Sequence, residues 1–471
     1  MHGAGTCRLR RVCGQHPNHC GPTTLHALDA FLQKNPDLEV FEVLLPDING
    51  QLRGKWVSRE NLAKVFGGGF KLPVSTIAFD IWGRDIGATV FEDGDADGVC
   101  LPEPATLARV PWLAHPTGQV LVSMGTVHAS AYAGDPRTVL ANVLARYAQL
   151  GLRPVVAAEL EFYLFERERN ADGTPRHTQT ASGGRALVGG QTYGLEAMQD
   201  VAQLMHGVRE AAAVQGLPVD TLITEAAPSQ FEINLYHQDD ALRACDQALL
   251  LKRAIKGVAR AQGRLASFMA KPFGDLAGNG MHIHFSLLDA SGRNVFDDDT
   301  DQGSERLRHA VAGCLATMPE AMALFAPNYN SYRRLRLGSH APHAPTWGYE
   351  NRTAAVRIPG GSRQAIRLEH RVCGADANPY LAVAAILAGA LMGIEQRLAA
   401  PAPVAGDAYS QHPPGLPRFW PDALRAFEKS AFVGEYLGEE LRRVFLMSKW
   451  QELEEFLGHV SPMEHDAYLD L

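Results

Sequence analysis

One stretch decides the predicted fold of this chain: Gly278-Asn279-Gly280-Met281-His282-Ile283-His284-Phe285-Ser286-Leu287. Two histidines alternate there with large apolar residues, which is the two-residue period of a β-strand. Both imidazoles therefore lie on one face of the predicted strand, and the apolar side chains lie on the other. Adjacent imidazoles favour a ligand site, although core histidines that hydrogen-bond to backbone carbonyls give the same pattern.

Three other predicted strands carry acidic side chains in apolar surroundings. Burying an unpaired carboxylate costs several kcal/mol, so we expect the charges of these strands to converge on compensating charge. Carboxylates with one or two histidines suit Mg²⁺ or Mn²⁺ better than a thiolate-bound zinc, and their number suggests about two or three ions. A network of Glu–Arg pairs without metal is the alternative. The residues concerned are Glu159, Glu161, Glu225, Glu232, His282 and Glu369, the last with Arg367 and Arg371 on either side.

Size and charge restrict the class of protein. The chain has 471 residues, a formal net charge of −8 and no cluster of lysines and arginines, so we expect two domains and no nucleic-acid partner. The longest apolar run, Leu381–Ile394, is too short to span a bilayer and follows a helix start at Asn378, so no membrane association is expected. Seven cysteines, an odd number, indicate reduced thiols and a cytoplasmic location.

The chain divides into three predicted parts. Residues 1–22 hold cysteines and histidines in no recognisable zinc spacing and lack a secretory signal, which favours a disordered leader. Residues 23–112 form the predicted N-terminal domain, with a hairpin that turns at Asp47–Gly50, and residues 113–471 form the second domain. Strands with polar faces alternate irregularly with helices, including a helix over Glu196–Gln215 and a strand over Ala266–Lys271. This order predicts an α+β fold.

Three arginines are not obviously paired with acidic residues near them in the sequence: Arg334, Arg352 and Arg357. Divalent metal, carboxylates and arginines together are typical of phosphoryl transfer, because metals and guanidinium groups neutralise charge on the migrating group. The chain contains no Walker lysine loop, so another kind of nucleotide site is expected.

From about Leu38 onward the chain resembles the glutamine synthetase family. The resemblance implies a small N-terminal β-grasp domain and a catalytic domain with an open antiparallel half-barrel sheet flanked by helices. It also implies a homododecamer of stacked rings whose active sites are shared between neighbouring subunits. The motifs that carry it, in order along the chain, are Glu159-Leu160-Glu161, Glu225–Glu232, Gly280–His284, Asn330–Arg334, Asn351–Thr353 and Glu369–Tyr380.

The resemblance also implies a role for each matching residue. In the family, the side-chain carboxylate of glutamate attacks ATP to give γ-glutamyl phosphate, and an amine then displaces phosphate. Carried over by position, Glu161, Glu225 and Glu232 hold one metal ion; Glu159, His282 and Glu369 hold the second; His284, Ser286 and Arg357 contact the ATP phosphates; Arg352 stabilises the transferring phosphoryl group; and Gly278, Arg334 and Arg371 help to seat glutamate.

Two departures concern the amine. The family's Asp-Gly-Ser-Ser loop, whose aspartate binds ammonium, is replaced by Leu72–Thr76, and the glutamate of the family's flap is replaced by His340. Both changes favour an alkylamine acceptor, with putrescine expected, over ammonium. Glutamine synthesis from ammonium, a ligase for another amine, and a non-catalytic sensor on the same scaffold are the alternatives. A non-catalytic sensor would be expected to lose metal ligands, yet all six metal-ligand positions of this chain are occupied by Glu or His.

An alkylamine must lose a proton before it attacks. Its pKa is near that of lysine, about 10.4, so only about one molecule in a thousand is the free base at neutral pH. His340 is the candidate base, because an imidazole titrates near working pH. In the other interpretation His340 only fills the flap and a carboxylate takes the proton.

Overall fold

The computed structural model describes residues 22–87, 94–126, 129–179, 191–336, 338–339 and 341–471. The predicted leader, apart from Pro22, lies outside the described residues. His340 lies outside them as well.

The first sheet is built around the predicted hairpin, which is confirmed. Its two strands pair antiparallel, and the carboxylate of Asp47 accepts the backbone N–H groups of Asn49 (2.9 Å) and Gln51 (2.8 Å), which closes the turn. Gly50 supplies the positive φ of 68° that the turn requires. The sheet order is β2-β1-β6-β4-β3, with β5 on β6, and the strands are β1 (Val40–Pro46), β2 (Leu52–Ser58), β3 (Lys71–Pro73), β4 (Asp97–Pro102), β5 (Ala108–Arg109) and β6 (Thr117–Met124).

Strand β6 bears on the domain boundary that the sequence places after Trp112. It pairs in parallel with β1, from Val40 opposite Thr117 to Leu44 opposite Leu121, and so belongs to the first sheet. We propose that the N-terminal domain extends through β6. A hydrophobic pattern does not reveal a parallel partner that is distant in sequence, so the hairpin alone could not indicate this extension.

The second sheet has nine strands and carries the histidine stretch at its centre. Its order is β13-β14-β15-β12-β7-β10-β9, with β8 and β11 also paired to β7. All pairs are antiparallel except β13 with β14. The strands are β7 (Arg153–Arg169), β8 (Pro175–His177), β9 (Val219–Thr224), β10 (Gln230–Leu235), β11 (Arg264–Ser267), β12 (Met281–Leu288), β13 (Trp347–Tyr349), β14 (Val356–Ile358) and β15 (Leu368–His370). The predicted α+β class is confirmed.

Helices flank both sheets and begin where their caps predict. Asp240 caps α6 by accepting the N–H of Arg243, and Asn378 caps α9 by accepting the N–H of Tyr380. The helices are α1 (Pro22–Lys34), α2 (Arg59–Lys64), α3 (Pro136–Gln149), α4 (Leu195–Asp200), α5 (Ala202–Val214), α6 (Ala241–Ala261), α7 (Glu305–Phe325), α8 (Ser331–Arg334), α9 (Pro379–Gln396), α10 (Ala408–Gln411), α11 (Trp420–Lys429), α12 (Glu439–Gly458) and α13 (Pro462–Tyr468).

Two predicted elements differ from the structure. The helix over Glu196–Gln215 is broken into α4 and α5 at Val201, whose φ of −117° and ψ of 15° are not helical. The strand over Ala266–Lys271 ends at Ser267. Its last residues bond to loops instead, because Lys271 N–H donates to the Asn330 side chain (2.8 Å) and Ala270 carbonyl accepts from a loop N–H.

Helix α9 is the core of the second domain. It is long and apolar enough to cross a membrane, but 78% of it is buried, between helices that include α3, α6 and α7. Its crossing with α7 brings backbones into contact, since a Cβ added at Gly313 would lie 2.7 Å from Gly393 Cα. The apolar composition is therefore accounted for by packing. The described cysteines, Cys100, Cys245, Cys314 and Cys373, are free and buried, in agreement with the predicted reduced thiols.

Candidate active site

Strand register brings the predicted residues together on one face of the second sheet. His282 of β12 lies directly opposite Glu159 of β7, and Glu232 of β10 lies directly opposite Glu161 of β7. Side chains directly across two strands, and those two residues apart on one strand, are neighbours on the same face. The alternation of His282 with His284 therefore has a structural reason: both imidazoles reach the same cluster of carboxylates.

Glu159 connects the two histidines. One carboxylate oxygen lies 3.1 Å from Nδ1 of His282, and the other lies 2.8 Å from Nε2 of His284. Burial opposes ionisation of Glu159, but its hydrogen bonds with His282 and His284 outweigh burial and hold the pKa of that carboxyl well below its usual range. Glu159 is thus an anion fixed by two imidazoles, and the interpretation of His282 and His284 as carbonyl-bound core residues is not needed.

A second group shares His282. Its Nε2 lies 3.8 Å from Glu161, whose other oxygen accepts the backbone N–H of Gly280 at 2.7 Å. Glu232 completes the group and is 5% exposed. Burial, followed by the charges of Glu159, Glu161 and Glu225, raises the pKa of Glu232 well above its ordinary value. Within the described part of the chain, no lysine or arginine lies within ion-pair distance of Glu232.

Glu369 is held differently, by arginines. It lies opposite His284 on β15, and its carboxylate accepts from Arg357 (2.9 Å) and from Arg371. Burial opposes its ionisation, but Arg371 and the two histidines lower the pKa of Glu369. Arg357 also pairs with Glu350 at 2.9 Å. The Glu–Arg alternative therefore describes Glu369, whereas Glu161 and Glu232 have no lysine or arginine at ion-pair distance among the described residues.

The uneven distribution of arginines around the carboxylates indicates whether a divalent metal ion fits the site. Two sets of ligand atoms lie within 4.8 Å of one another: one is Glu159, His282 and Glu369, and the other is Glu161, Glu232 and His282. The first is the set that the resemblance to the glutamine synthetase family assigns to a single ion. Carboxylate oxygens with one imidazole nitrogen suit a hard divalent cation, and Glu232 is buried with no lysine or arginine at ion-pair distance in the described part of the chain. The residues present therefore fit divalent metal.

Glu225 is the predicted ligand that stands apart. It lies on the loop after β9 and is not among the ligand atoms that group within 4.8 Å. Burial, together with the charges of Glu161 and Glu159, raises the pKa of Glu225 to about 7, while Arg352 acts in the opposite sense. Glu225 is thus close enough to feel the cluster, and its assignment to the metal stays a prediction.

The remaining predicted residues surround this cluster. Ser286 follows His282 and His284 on the same face of β12. Arg334 is buried and donates to the carbonyl of Val372 at 2.8 Å, and Gly278 packs so closely that a Cβ there would lie 2.5 Å from Ala270 O. Arg352 is exposed, with no ion-pair partner among the residues that the structure describes.

Several contacts were missed at the level of sequence. Arg367, noted only as a flanking charge, donates to Nδ1 of His284 at 3.1 Å and so fixes which nitrogen faces Glu159. Gln230 donates to the Gly278 carbonyl (3.0 Å) and to Asn279 (3.1 Å), which fixes the loop before β12. Alternation on a strand could have indicated Arg367, since it shares a face with Glu369. Nothing in the sequence singles out Gln230.

Comparison with known proteins gives consistent matches. Residues 133–468 match the family profile described as glutamine synthetase, catalytic domain. The gamma-glutamylputrescine synthetase of Escherichia coli (strain K12) is 39% identical over 430 residues, 90% of each chain. The gamma-glutamylethanolamide synthetase of Streptomyces coelicolor (strain ATCC BAA-471 / A3(2) / M145) is 34% identical over 454 residues, 94% of each chain. A solved structure of a GmaS/ADP complex has a TM-score of 0.82 at 28% identity and covers 94% of this chain and 99% of that one.

Proposed function

This chain belongs to the glutamine synthetase family, and on that premise we propose that it is an ATP-dependent ligase that joins the side-chain carboxylate of glutamate to an amine. The observation that carries the proposal is the group of carboxylates, imidazoles and arginines on one sheet face, in a chain 39% identical to a gamma-glutamylputrescine synthetase. A sensor built on the same scaffold would have no need of a buried carboxylate such as Glu232, for which the described residues supply no lysine or arginine at ion-pair distance.

The proposed reaction has two steps. The glutamate carboxylate attacks the γ-phosphorus of ATP and ADP leaves, which gives γ-glutamyl phosphate. The amine then attacks the acyl carbon, loses a proton, and phosphate leaves. A divalent cation, when bound, would neutralise charge on the phosphate oxygens. We propose Mg²⁺ or Mn²⁺, because oxygen ligands outnumber nitrogen at the site.

The arginines of the site fall into two groups: two are held by ion pairs with Glu369, and one is not held in this way. Arg357 and Arg371 are fixed by Glu369, and each keeps a buried Nε–H without a hydrogen-bond partner in the structure, so each retains a donor for a ligand. Arg352 has no such anchor. Its freedom supports the role implied by the family, in which it moves onto the transferring phosphoryl group and stabilises the charge there.

For the amine we propose putrescine. The support is the relatives named above, one of which makes gamma-glutamylputrescine and another gamma-glutamylethanolamide. The segment Leu72–Thr76, which replaces the ammonium-binding loop of the family, contains no acidic residue and places Thr76 in the core. His340 remains the proposed base for the amine. Its role is tested by His340→Ala: a pH profile of turnover like that of the wild type would rule the role out.

Assembly and location are also proposals. We propose the homododecamer implied by the family, since apolar side chains near the end of the chain, such as Leu457 (66% exposed) and Met463 (79% exposed), are left uncovered in the single subunit. Light scattering coupled to size exclusion tests the oligomeric state. Buried free thiols support the proposed cytoplasmic location.

The deciding experiment measures ADP release with ATP, Mg²⁺, glutamate and one acceptor at a time: putrescine, ethanolamine, isopropylamine or ammonium. We expect the highest kcat/KM with putrescine and little turnover with ammonium. Preference for ammonium would make the enzyme a glutamine synthetase instead. No ADP release with any acceptor, from a folded protein, would overturn the ligase assignment.

A further inference from the structure

A cavity of about 730 Å³ lies between the two domains, away from the carboxylate cluster. One wall comes from the β1–β2 turn and Trp112, and the other comes from the second half of α6 with the segment that follows it. A volume of this size falls in the range of small-molecule sites, about 300–1,000 Å³.

Positive charge dominates the cavity, although the whole chain is negative. Its lining includes five lysines and arginines and two acidic residues. One acid, Glu42, is already paired with Arg253. The other, Asp376, accepts hydrogen bonds from Asn328 (2.8 Å) and Ser331. The cations are Lys252, Arg253, Lys256, Arg260 and Arg264.

Helix geometry explains the clustering. Lys252, Lys256 and Arg260 are spaced by four residues on α6, so they form one stripe along the helix. Like charges at this spacing destabilise a helix, which favours a compensating anion. Among the described residues, no carboxylate lies within ion-pair distance of Lys252, Lys256, Arg260 or Arg264.

Lys252 forms the base of the cavity. It is 8% exposed, and its Nζ donates to the carbonyls of Ala375 (2.7 Å) and Ala377 (3.3 Å) but contacts no carboxylate. An ammonium group carries three donors, so one remains for a ligand. Burial, followed by the charge of Lys256, lowers the pKa of Lys252 to about 7, and a small anion that enters the cavity would favour the charged form of this side chain. The flat surface of a partner protein would not reach Lys252 inside the cavity.

Two aromatic rings complete the wall. The ring of Phe268 lies 5.3 Å from Nζ of Lys252 and 5.5 Å from Nζ of Lys256. Trp112 packs directly on the backbone of α6, because a Cβ added at Gly257 would lie 2.4 Å from its indole nitrogen. The rings fix the width of the cavity and leave the cations as its polar groups.

We infer that this cavity binds a small multivalent anion, either a phosphate compound or a polycarboxylate. The base of the site is connected to the glutamate-seating residues of the proposed ligase. Lys252 holds Ala375 and Ala377, while Arg334 holds Val372, and all three carbonyls belong to the segment that follows Glu369 and Arg371. An anion on Lys252 therefore acts on the segment that Arg334 also contacts.

The test is direct binding by calorimetry in chelator and without nucleotide, with inorganic pyrophosphate and citrate as separate probes. The variant is Lys256→Gln with Arg260→Gln, since both side chains are exposed and we expect the double variant to fold. The control removes the same charge outside the cavity, with Arg243→Gln and Arg209→Gln, which are also exposed. Arg352→Gln separates binding at the candidate active site.

We expect wild type, the control variant and Arg352→Gln to bind at least one probe, and the cavity variant to bind it about ten-fold more weakly or not at all. The binding should weaken as salt rises. If only pyrophosphate binds, the cavity is a site for phosphate compounds. If only citrate binds, it is a site for polycarboxylates. The inference is overturned if neither probe binds wild type, or if the cavity variant binds as tightly as the control. It is also overturned if only the cavity variant changes the oligomeric state, because the cations would then face a second subunit.

Discussion

Glu232 and Glu161 lie directly opposite each other on antiparallel strands, two carboxylates with no lysine or arginine within ion-pair distance of Glu232 in the described part of the chain. Like charges placed across two strands destabilise a sheet unless something lies between them. The pair therefore makes the effect of a metal on stability measurable apart from catalysis.

We predict that Glu232→Gln has opposite effects with and without metal. In chelator the variant should melt above wild type, because the buried Glu232 carboxyl, whose pKa is raised well above its ordinary value, must either stay charged or take up a proton on folding, and an amide does neither. About 1 kcal/mol shifts Tm by about 2–4 °C in domains of 150–250 residues and by less in a larger one, so the expected shift is small. With Mg²⁺ the order should reverse, since a ligand is lost. Differential scanning fluorimetry measures both. Glu168→Gln, which removes an 85% exposed charge from β7, the strand paired with β10, should show neither effect. A Glu232→Gln variant that is less stable under both conditions would contradict the metal assignment.

Arg352 should matter for turnover and little for folding. We predict that Arg352→Gln lowers kcat by about 10²–10³, the usual cost of removing one donor that stabilises developing charge, while Tm stays within about 1 °C of wild type. The reason is its exposure and lack of an ion-pair partner in the described structure. Steady-state ADP release measures kcat. Arg306→Gln, another exposed arginine, serves as the control, and equal losses in both variants would refute the role.

Gly280 has a steric role that no other residue fills. A Cβ at this position would lie 2.8 Å from Arg334, 3.0 Å from His282 and 3.2 Å from Glu161. We predict that Gly280→Ala weakens Mg²⁺ binding and raises KM for glutamate together, each by about ten-fold, since a displacement of this size at a ligand is costly. Gly458→Ala, where a Cβ meets nothing within 4 Å, should leave both unchanged. Titration of activity with Mg²⁺ and with glutamate gives the two values.

Asp135 should give the stability a defined pH dependence. It caps α3 and is 1% exposed, and burial raises its pKa from 3.8 to about 6 despite hydrogen bonds from the N–H groups of Met124 and Thr138. Between these pH values the folded state keeps a proton that the unfolded state has lost. Stability from this group therefore falls as pH rises from about 4 to 6, by up to about 3 kcal/mol, and is constant above.

The matched measurement is the Tm difference between wild type and Asp135→Asn across pH 4–8. We expect wild type to lose stability relative to the variant from about pH 4 to 6 and the difference to stay flat above pH 6. A constant offset from the lost hydrogen bond does not affect this slope. Asp466→Asn, exposed on α13, should give a difference near zero throughout. A flat difference for Asp135→Asn would contradict the raised pKa.

The sequence predicts the parts of this site that follow from local patterns, but not the parts that depend on contacts between residues distant in sequence. The alternation of His282 with His284, and of Glu159 with Glu161, is local, so it indicated both the strands and the shared face. The pairing of Glu232 with Glu161 depends on register, which is set by packing across the sheet and not by either strand alone. Gln230 and Gly280 act through contacts with residues distant in sequence, and only three-dimensional structure reveals such contacts.

The burial of α9 has a consequence for how the protein is made. Three helices that cover it, α3, α6 and α7, precede it in the chain, so the ribosome has already released them when α9 emerges. When the apolar helix α9 emerges from the ribosome, it can therefore pack at once against these three helices and does not stay exposed to water. A circular permutant that is translated from α9 onward would expose that segment first and should aggregate during synthesis, even though the finished chain contains the same residues.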